Sequence, residues 1–136
     1  MKYLLILFTM LTCTSIYAQE GVSVKGNQLS VREIPPVWPG CEEEADKKTC
    51  FRKMLALHLK EHYKFPRDEQ GNLVRGKAVV VFNIDQEGKP EILSIEGPHP
   101  EINREAKRIV LSLPQMIPGS RGGKPIAVKY TVPFTF

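Results

Sequence analysis

The sequence predicts an α+β fold: two helices on a three-stranded antiparallel sheet, in two layers, ordered helix-strand-strand-helix-strand, plus an N-terminal extended arm. Three observations carry this expectation. Two stretches place apolar residues at helical spacing, and two β-branched runs are joined by a short glycine turn. The chain then closes on "PIAVKYTVPFTF", where Ile126, Val128, Tyr130, Val132, Phe134 and Phe136 alternate with Ala127, Lys129, Thr131, Pro133 and Thr135. A period of two is the mark of a strand with one buried face.

Residues 1–18 stand apart from the fold. Lys2 gives a positive start, Leu4 to Leu11 an apolar run, and "SIYAQE" a small residue before a polar one. This reads as a secretory signal peptide cleaved between Ala18 and Gln19. A membrane span needs about 20 apolar residues, and this run is broken by Thr9, Thr12, Cys13 and Thr14. Inner-membrane anchoring is therefore the weaker reading, and export to the periplasm the expected one.

Residues 19–36 form an arm. "VSVKGNQLSV" holds two short alternating pieces about Gly26-Asn27, the signal of a hairpin or an extended lead-in. In "PPVWPG" each proline biases the residue before it toward extended geometry, and Trp38 between them is expected to anchor on the core. A domain over residues 37–136 follows.

Its first helix is expected from Lys47 or Thr49 to Tyr63, with Phe51, Met54, Leu55 and Leu59 on one stripe and "KFP" ending it. "KAVVVFNID" has the apolar residues of a central strand. "QEGK" supplies the hairpin turn, and "PEILSIEG" is the return strand. The second helix lies in "PHPEINREAKRIVLSLP", started by Pro100 and stopped by Pro114. Ile102, Ala106, Ile109, Val110 and Leu113 mark its buried face. "QMIPGSRGGKP" is read as a loop into a closing strand from Ile126 to Phe136.

The two cysteines that follow the leader, Cys41 and Cys50, fit a disulfide in an exported protein. Free thiols and a metal site shared with His58 and His62 are the alternatives, but the C-x8-C spacing is too wide for a zinc knuckle. His58 lies on the apolar stripe, where a hydrogen-bonded, partly buried histidine is the simpler expectation. A net charge of +4, spread among acidic neighbours such as "CEEEADKK", argues against a nucleic-acid partner. The histidines are His58, His62 and His99, and neither Gly-x-Ser-x-Gly nor His-Glu-x-x-His occurs. The sequence points to a protein that is not an enzyme, with no cofactor and no metal.

Several pieces now combine: "PPVWPG", a helix ending in "YKFP", "VRGKAVVVFNIDQEGKPEILSIEG", "INREAKRIVLSLPQMIPG" and "GGKPIAVKYTVPFTF". Together they resemble the C-terminal domain of TonB-type energy transducers, in the form common in Bacteroidetes, here without an evident transmembrane anchor or proline-rich spacer. The resemblance implies a periplasmic binding module. It would capture an extended segment of a TonB-dependent outer-membrane transporter, a TonB-box-like peptide, by strand addition, and so support TonB-dependent transport. The partner-binding residues it implies are Ile126, Ala127, Val128, Lys129, Tyr130, Thr131, Val132, Pro133 and Phe134, with Arg121 and Lys124 in the preceding loop.

Pro133 sharpens this. If the second strand, second helix and last strand form a crossover that skips one strand, the order is return strand, central strand, last strand, and the last strand is an edge. An edge is where a proline is tolerated. The odd-numbered backbone groups should then face outward, and Ala127, Lys129 and Thr131 should be free to pair. The competing expectation is a secreted self-associating domain, in which two such edges form a homodimer and no transport role exists.

Overall fold

The computed structural model describes residues 22–25 and 28–136. The expected leader and its cleavage point between Ala18 and Gln19 lie outside them. The arm begins as a hairpin, β1 (Val22–Lys25) paired antiparallel with β2 (Gln28–Val31). A two-residue strand, β3 (Glu33–Ile34), follows, and "PPVWPG" turns the chain into the interior. Trp38 is 4% exposed and meets Phe51 and His58 edge-on at ring distances of 5.7 and 5.8 Å. It is a core anchor, as its place between prolines suggests.

Helix α1 (Lys47–His62) starts where Asp46 caps it: the carboxylate accepts from the Thr49 backbone N–H at 3.1 Å and from the Thr49 hydroxyl at 2.6 Å. Its far end is tied to the second helix, because the Arg108 guanidinium donates to the His62 carbonyl. Cys41 and Cys50 are joined by a disulfide, with their Cα atoms 6.0 Å apart. This bond fastens "PPVWPG" to the first turn of α1. A loop of that length constrains the unfolded chain by about 2.5–3 kcal/mol on the entropic account.

Strand β4 (Lys77–Ile84) and strand β5 (Pro90–Glu96) form the hairpin expected around Gly88. Asp85 fixes the turn by accepting from the backbone N–H of Glu87 at 2.8 Å and of Lys89 at 2.9 Å. Helix α2 (Pro100–Leu111) has proline in its first turn and buries Ile102, Ala106, Ile109 and Val110. The closing strand β8 (Val128–Thr135) returns to β4, giving a main sheet of order β5-β4-β8, antiparallel throughout. Its core joins Ala78, Val80, Phe82 and Ile84 of β4 to those α2 residues, to Phe51 and Trp38, and to Phe134 and Phe136. The central strand therefore buries its even-numbered side chains, and β8 lies at an edge.

The loop before the closing strand needs correction. "GSRGGKPI" is a third hairpin, β6 (Gly119–Arg121) with β7 (Lys124–Ile126), and β3 pairs with β6 to make a second three-stranded sheet of order β3-β6-β7. Gly122 and Gly123 occupy the turn at φ 57° and 79°, the left-handed pair that a two-residue hairpin turn requires. Pro125 sits on β7, an edge strand, where its missing N–H is tolerated. Ile126 thus belongs to this hairpin, and Ala127 is the break between it and β8. The closing strand is shorter than the alternation alone implies.

Candidate functional site

The register of β8 decides which of its backbone groups are free. Gly76 and Phe136 exchange both hydrogen bonds, Phe136 N–H to the Gly76 carbonyl at 2.8 Å and Gly76 N–H to the Phe136 carbonyl at 3.1 Å. In an antiparallel ladder such bonded pairs alternate with unbonded ones. The pairing runs on without a shift from Lys77↔Thr135 to Ile84↔Val128. Phe134, Val132, Tyr130 and Val128 are therefore the residues bonded to β4, and Lys129, Thr131, Pro133 and Thr135 turn their backbone groups outward. Pro133 stands opposite Val79, in an unbonded pair, so its ring costs the sheet no hydrogen bond.

The opposite edge of the same sheet is guarded. Strand β5 begins with Pro90, and its register against β4 shifts between Val81 and Phe82, leaving Leu93 as an extra residue. A proline and a bulge are devices that stop a further strand from adding. Strand β8 has neither between Val128 and Val132. Among the described residues nothing pairs with its outer side.

Helix α1 runs beside that free edge. Phe51 stacks on Tyr130 with ring centroids 4.6 Å apart, and Tyr63 stacks on Phe136 at 5.3 Å. The helix advances about 18 Å between its two residues, and an extended strand advances about 20 Å between the other two. The two elements thus lie side by side and run the same way. Between them are a cavity of about 450 Å³ bordered by Lys48, Phe51, Arg52, Val128 and Tyr130, and another of about 250 Å³ bordered by Leu59, Lys60, Tyr63 and Phe134. Burial pushes the Tyr130 hydroxyl up to about 12, so it is neutral at every physiological pH.

Residues 61–136 match the family model described as Gram-negative bacterial TonB protein C-terminal. The chain belongs to this family. The match covers more than half of the sequence, from the last turn of α1 through β8, and so includes the whole main sheet with its free edge. No curated protein and no solved structure matches the chain significantly. TonB-family membership makes this a TonB-like interaction domain of TonB-dependent transport, facing the periplasm. No helix among the described residues is long and apolar enough to cross a membrane.

Of the partner-binding residues expected in this TonB-like domain, Val128 to Phe134 fall together on β8, while Ile126 and Ala127 precede it. Arg121 and Lys124 are register partners across the Gly122-Gly123 turn. Arg121 is already engaged: its guanidinium donates to the Glu33 carboxylate at 3.0 Å, fastening the arm to the hairpin. Sequence reasoning passed over α1 as a wall of the site. Lys48, Arg52 and Lys60 share one i,i+4 row with Ala56 between them, but that row alone does not say which strand the helix lies against.

The histidines belong to the seam between the helices. The Ser112 hydroxyl donates to the Ile109 carbonyl at 2.7 Å, so the His58 Nε2–H must donate to the Ser112 oxygen at 2.9 Å. His62 donates from Nδ1 to the His58 carbonyl at 2.9 Å, and the two rings stack with centroids 4.0 Å apart. Burial holds the His58 pKa below its ordinary value, and the nearby His62 lowers it further. A depressed histidine stabilises the fold as the neutral ring. That contribution is complete above about pH 6.5 and is lost as pH falls from there through the folded value. The urea midpoint should therefore drop between pH 7.5 and pH 5, and His58→Gln should flatten that part of the profile. An equally steep profile in the variant would place the titration elsewhere.

Proposed function

We propose that this protein is a periplasmic TonB-like binding module, exported by a cleaved leader of residues 1–18. It captures an extended segment of a TonB-dependent outer-membrane transporter by adding it as a strand to β8. The observation that carries the reading is the run of outward backbone groups at Lys129 and Thr131, on an edge with no partner among the described residues. Main-chain hydrogen bonds along such an edge provide affinity, and the side chains at alternate positions provide choice. The guarded β5 edge leaves one side of the sheet for this purpose. Pro133 ends the usable stretch, since it offers no donor.

The test uses the protein as bait in a detergent extract of the outer membrane. TonB-dependent transporters should be recovered, and a synthetic peptide copied from the recovered transporter's periplasmic segment should slow exchange of the Lys129 and Thr131 amides. Recovery of no transporter, together with a concentration-dependent dimer in sedimentation, would favour self-pairing through the same edge.

A further inference from the structure

We propose that the furrow between α1 and β8 selects an acidic extended segment, whose carboxylates on the face toward α1 are received by Lys48, Arg52 and Lys60. The inference rests on the strand-addition reading above and adds the chemistry of the partner to it. Residues opposite one another on neighbouring strands put their side chains on the same face. A residue that pairs opposite Tyr130 or Phe134 therefore points toward α1, while one opposite Lys129 or Thr131 points to the open face of the sheet. The side chains that enter the furrow are thus alternate residues of the added segment.

The three cations are placed to meet them. Lys48 and Arg52 border the cavity beside Val128 and Tyr130, and Lys60 borders the cavity beside Pro133 and Phe134. All three are exposed. The ion pairs among the described residues join Lys89 to Glu87, Arg108 to Glu105 and Arg121 to Glu33, so none uses these cations. Glu33 is the carboxylate that borders the first cavity, and Arg121 already holds it at 3.0 Å. Asp46, the acid nearest the start of the row, is committed to capping α1 through Thr49. The Arg52 charge still acts on the Asp46 carboxylate and Glu44 borders a neighbouring cavity with Lys48, but no ion pair among the described residues neutralises the row.

The spacing agrees as well. Four helix residues rise about 6 Å, so Lys48 and Arg52 are separated by about the advance of two strand residues, 6.8 Å. Lys60 lies about 12 Å beyond Arg52 along the helix, close to four strand residues further. In a segment added parallel to β8, carboxylates at positions i, i+2 and i+6 have the same parity, and all three reach the row from one face. The stacked rings of Phe51 and Tyr130 form an apolar floor beside Lys48 and Arg52. Surface ion pairs are individually weak and are screened by salt, so three together should give roughly tenfold preference.

The probes are two short synthetic peptides with a threonine and valine host sequence, blocked at both ends. One carries glutamate at the positions i, i+2 and i+6, and its twin carries glutamine there. Binding is measured by titration calorimetry and located by NMR shifts of the protein's backbone amides. The glutamate peptide should shift the Lys129 and Thr131 amides and bind about tenfold tighter than its twin. The difference should shrink at about 0.5 M salt and vanish in the triple variant Lys48→Gln, Arg52→Gln, Lys60→Gln. It should persist in Lys48→Arg, Arg52→Lys, Lys60→Arg. Circular dichroism of both triple variants should match the parent, since none of the three side chains is buried. Equal affinities with the Lys129 and Thr131 shifts intact would overturn the acidic selection and leave strand addition standing. If neither peptide moves those amides, or the glutamate peptide binds elsewhere, strand addition falls and this inference falls with it.

Discussion

Replacing Thr131 with proline is expected to abolish capture of an extended segment while leaving the fold largely intact. Thr131 stands opposite Val81, in one of the unbonded pairs fixed by the Gly76–Phe136 exchange. Its N–H points away from β4, so proline deletes an outward donor and no internal hydrogen bond. Strand geometry is compatible with the proline φ, and Pro133 two residues on shows that this side of β8 accepts the ring. The neighbouring change should behave in the opposite way. Tyr130 is bonded to Phe82 across the ladder, and its ring stacks on Phe51 at 4.6 Å. Proline there removes an internal donor, leaves the Phe82 carbonyl without its partner and empties an aromatic site, a combination large enough to unfold the domain. Thermal melting sorts the two variants, and titration with a bound peptide reads the loss of capture. In the free protein, the Lys129 and Thr131 amides should exchange faster than those of Tyr130 and Val132. A Thr131→Pro protein that melts normally and still binds with unchanged affinity would show that β8 is not where the segment pairs.

That contrast between adjacent residues was legible in the sequence, because the parity of a strand is set by its own period. Pro133 fixed which half of the groups could be spared, and the crossover between β5, α2 and β8 put the strand at an edge. The helices were equally plain: "KFP" follows the end of α1, Pro100 starts α2, and the apolar stripes of both pack against the core. The second sheet was not seen, for a reason that is physical. Pairing Glu33 with Arg121 closes a separation of 88 residues, and strands of two and three residues carry too little periodicity to announce it. Pro125 argued against a strand at that point, although the Gly-Gly pair beside it was a hairpin signal. The position of α1 along the free edge was also out of reach. It depends on Phe51 finding Tyr130 and Tyr63 finding Phe136, contacts that helical spacing alone does not specify. The motif "LPQMIPG" gained its explanation only in three dimensions. Met116 donates its N–H to the Gly88 carbonyl at 2.9 Å, Gln115 donates to the Glu87 carbonyl at 3.1 Å, and Ile117 exchanges both backbone bonds with Val37. One short segment thereby binds the β4–β5 turn and the entry of the arm at once.

Gly88→Ala should therefore cost far more stability than Gly71→Ala, although the two glycines occupy copies of one turn. Asp68 accepts from the backbone N–H of Gln70 and Asn72, as Asp85 does from those of Glu87 and Lys89. Gly71 N–H donates to the Asp68 carbonyl at 3.0 Å, and Gly88 N–H to the Asp85 carbonyl at 3.0 Å. Both glycines have φ 83°, so an alanine side chain meets the same backbone strain at either site, about 1 kcal/mol. The surroundings differ. A Cβ on Gly71 would meet nothing within 4 Å, whereas one on Gly88 would lie 1.7 Å from the Met116 carbonyl oxygen. That atom is backbone and cannot swing aside as a side-chain end would. The turn and the segment must separate, and the bond from Met116 N–H to the Gly88 carbonyl is lost with them. Adding overpacking and a broken buried hydrogen bond to the shared strain gives about 3–4 kcal/mol for Gly88→Ala. Urea unfolding of both variants against the parent measures the difference directly. Equal losses would mean that the segment yields freely, and that the β4–β5 turn is not held by its contact with Met116.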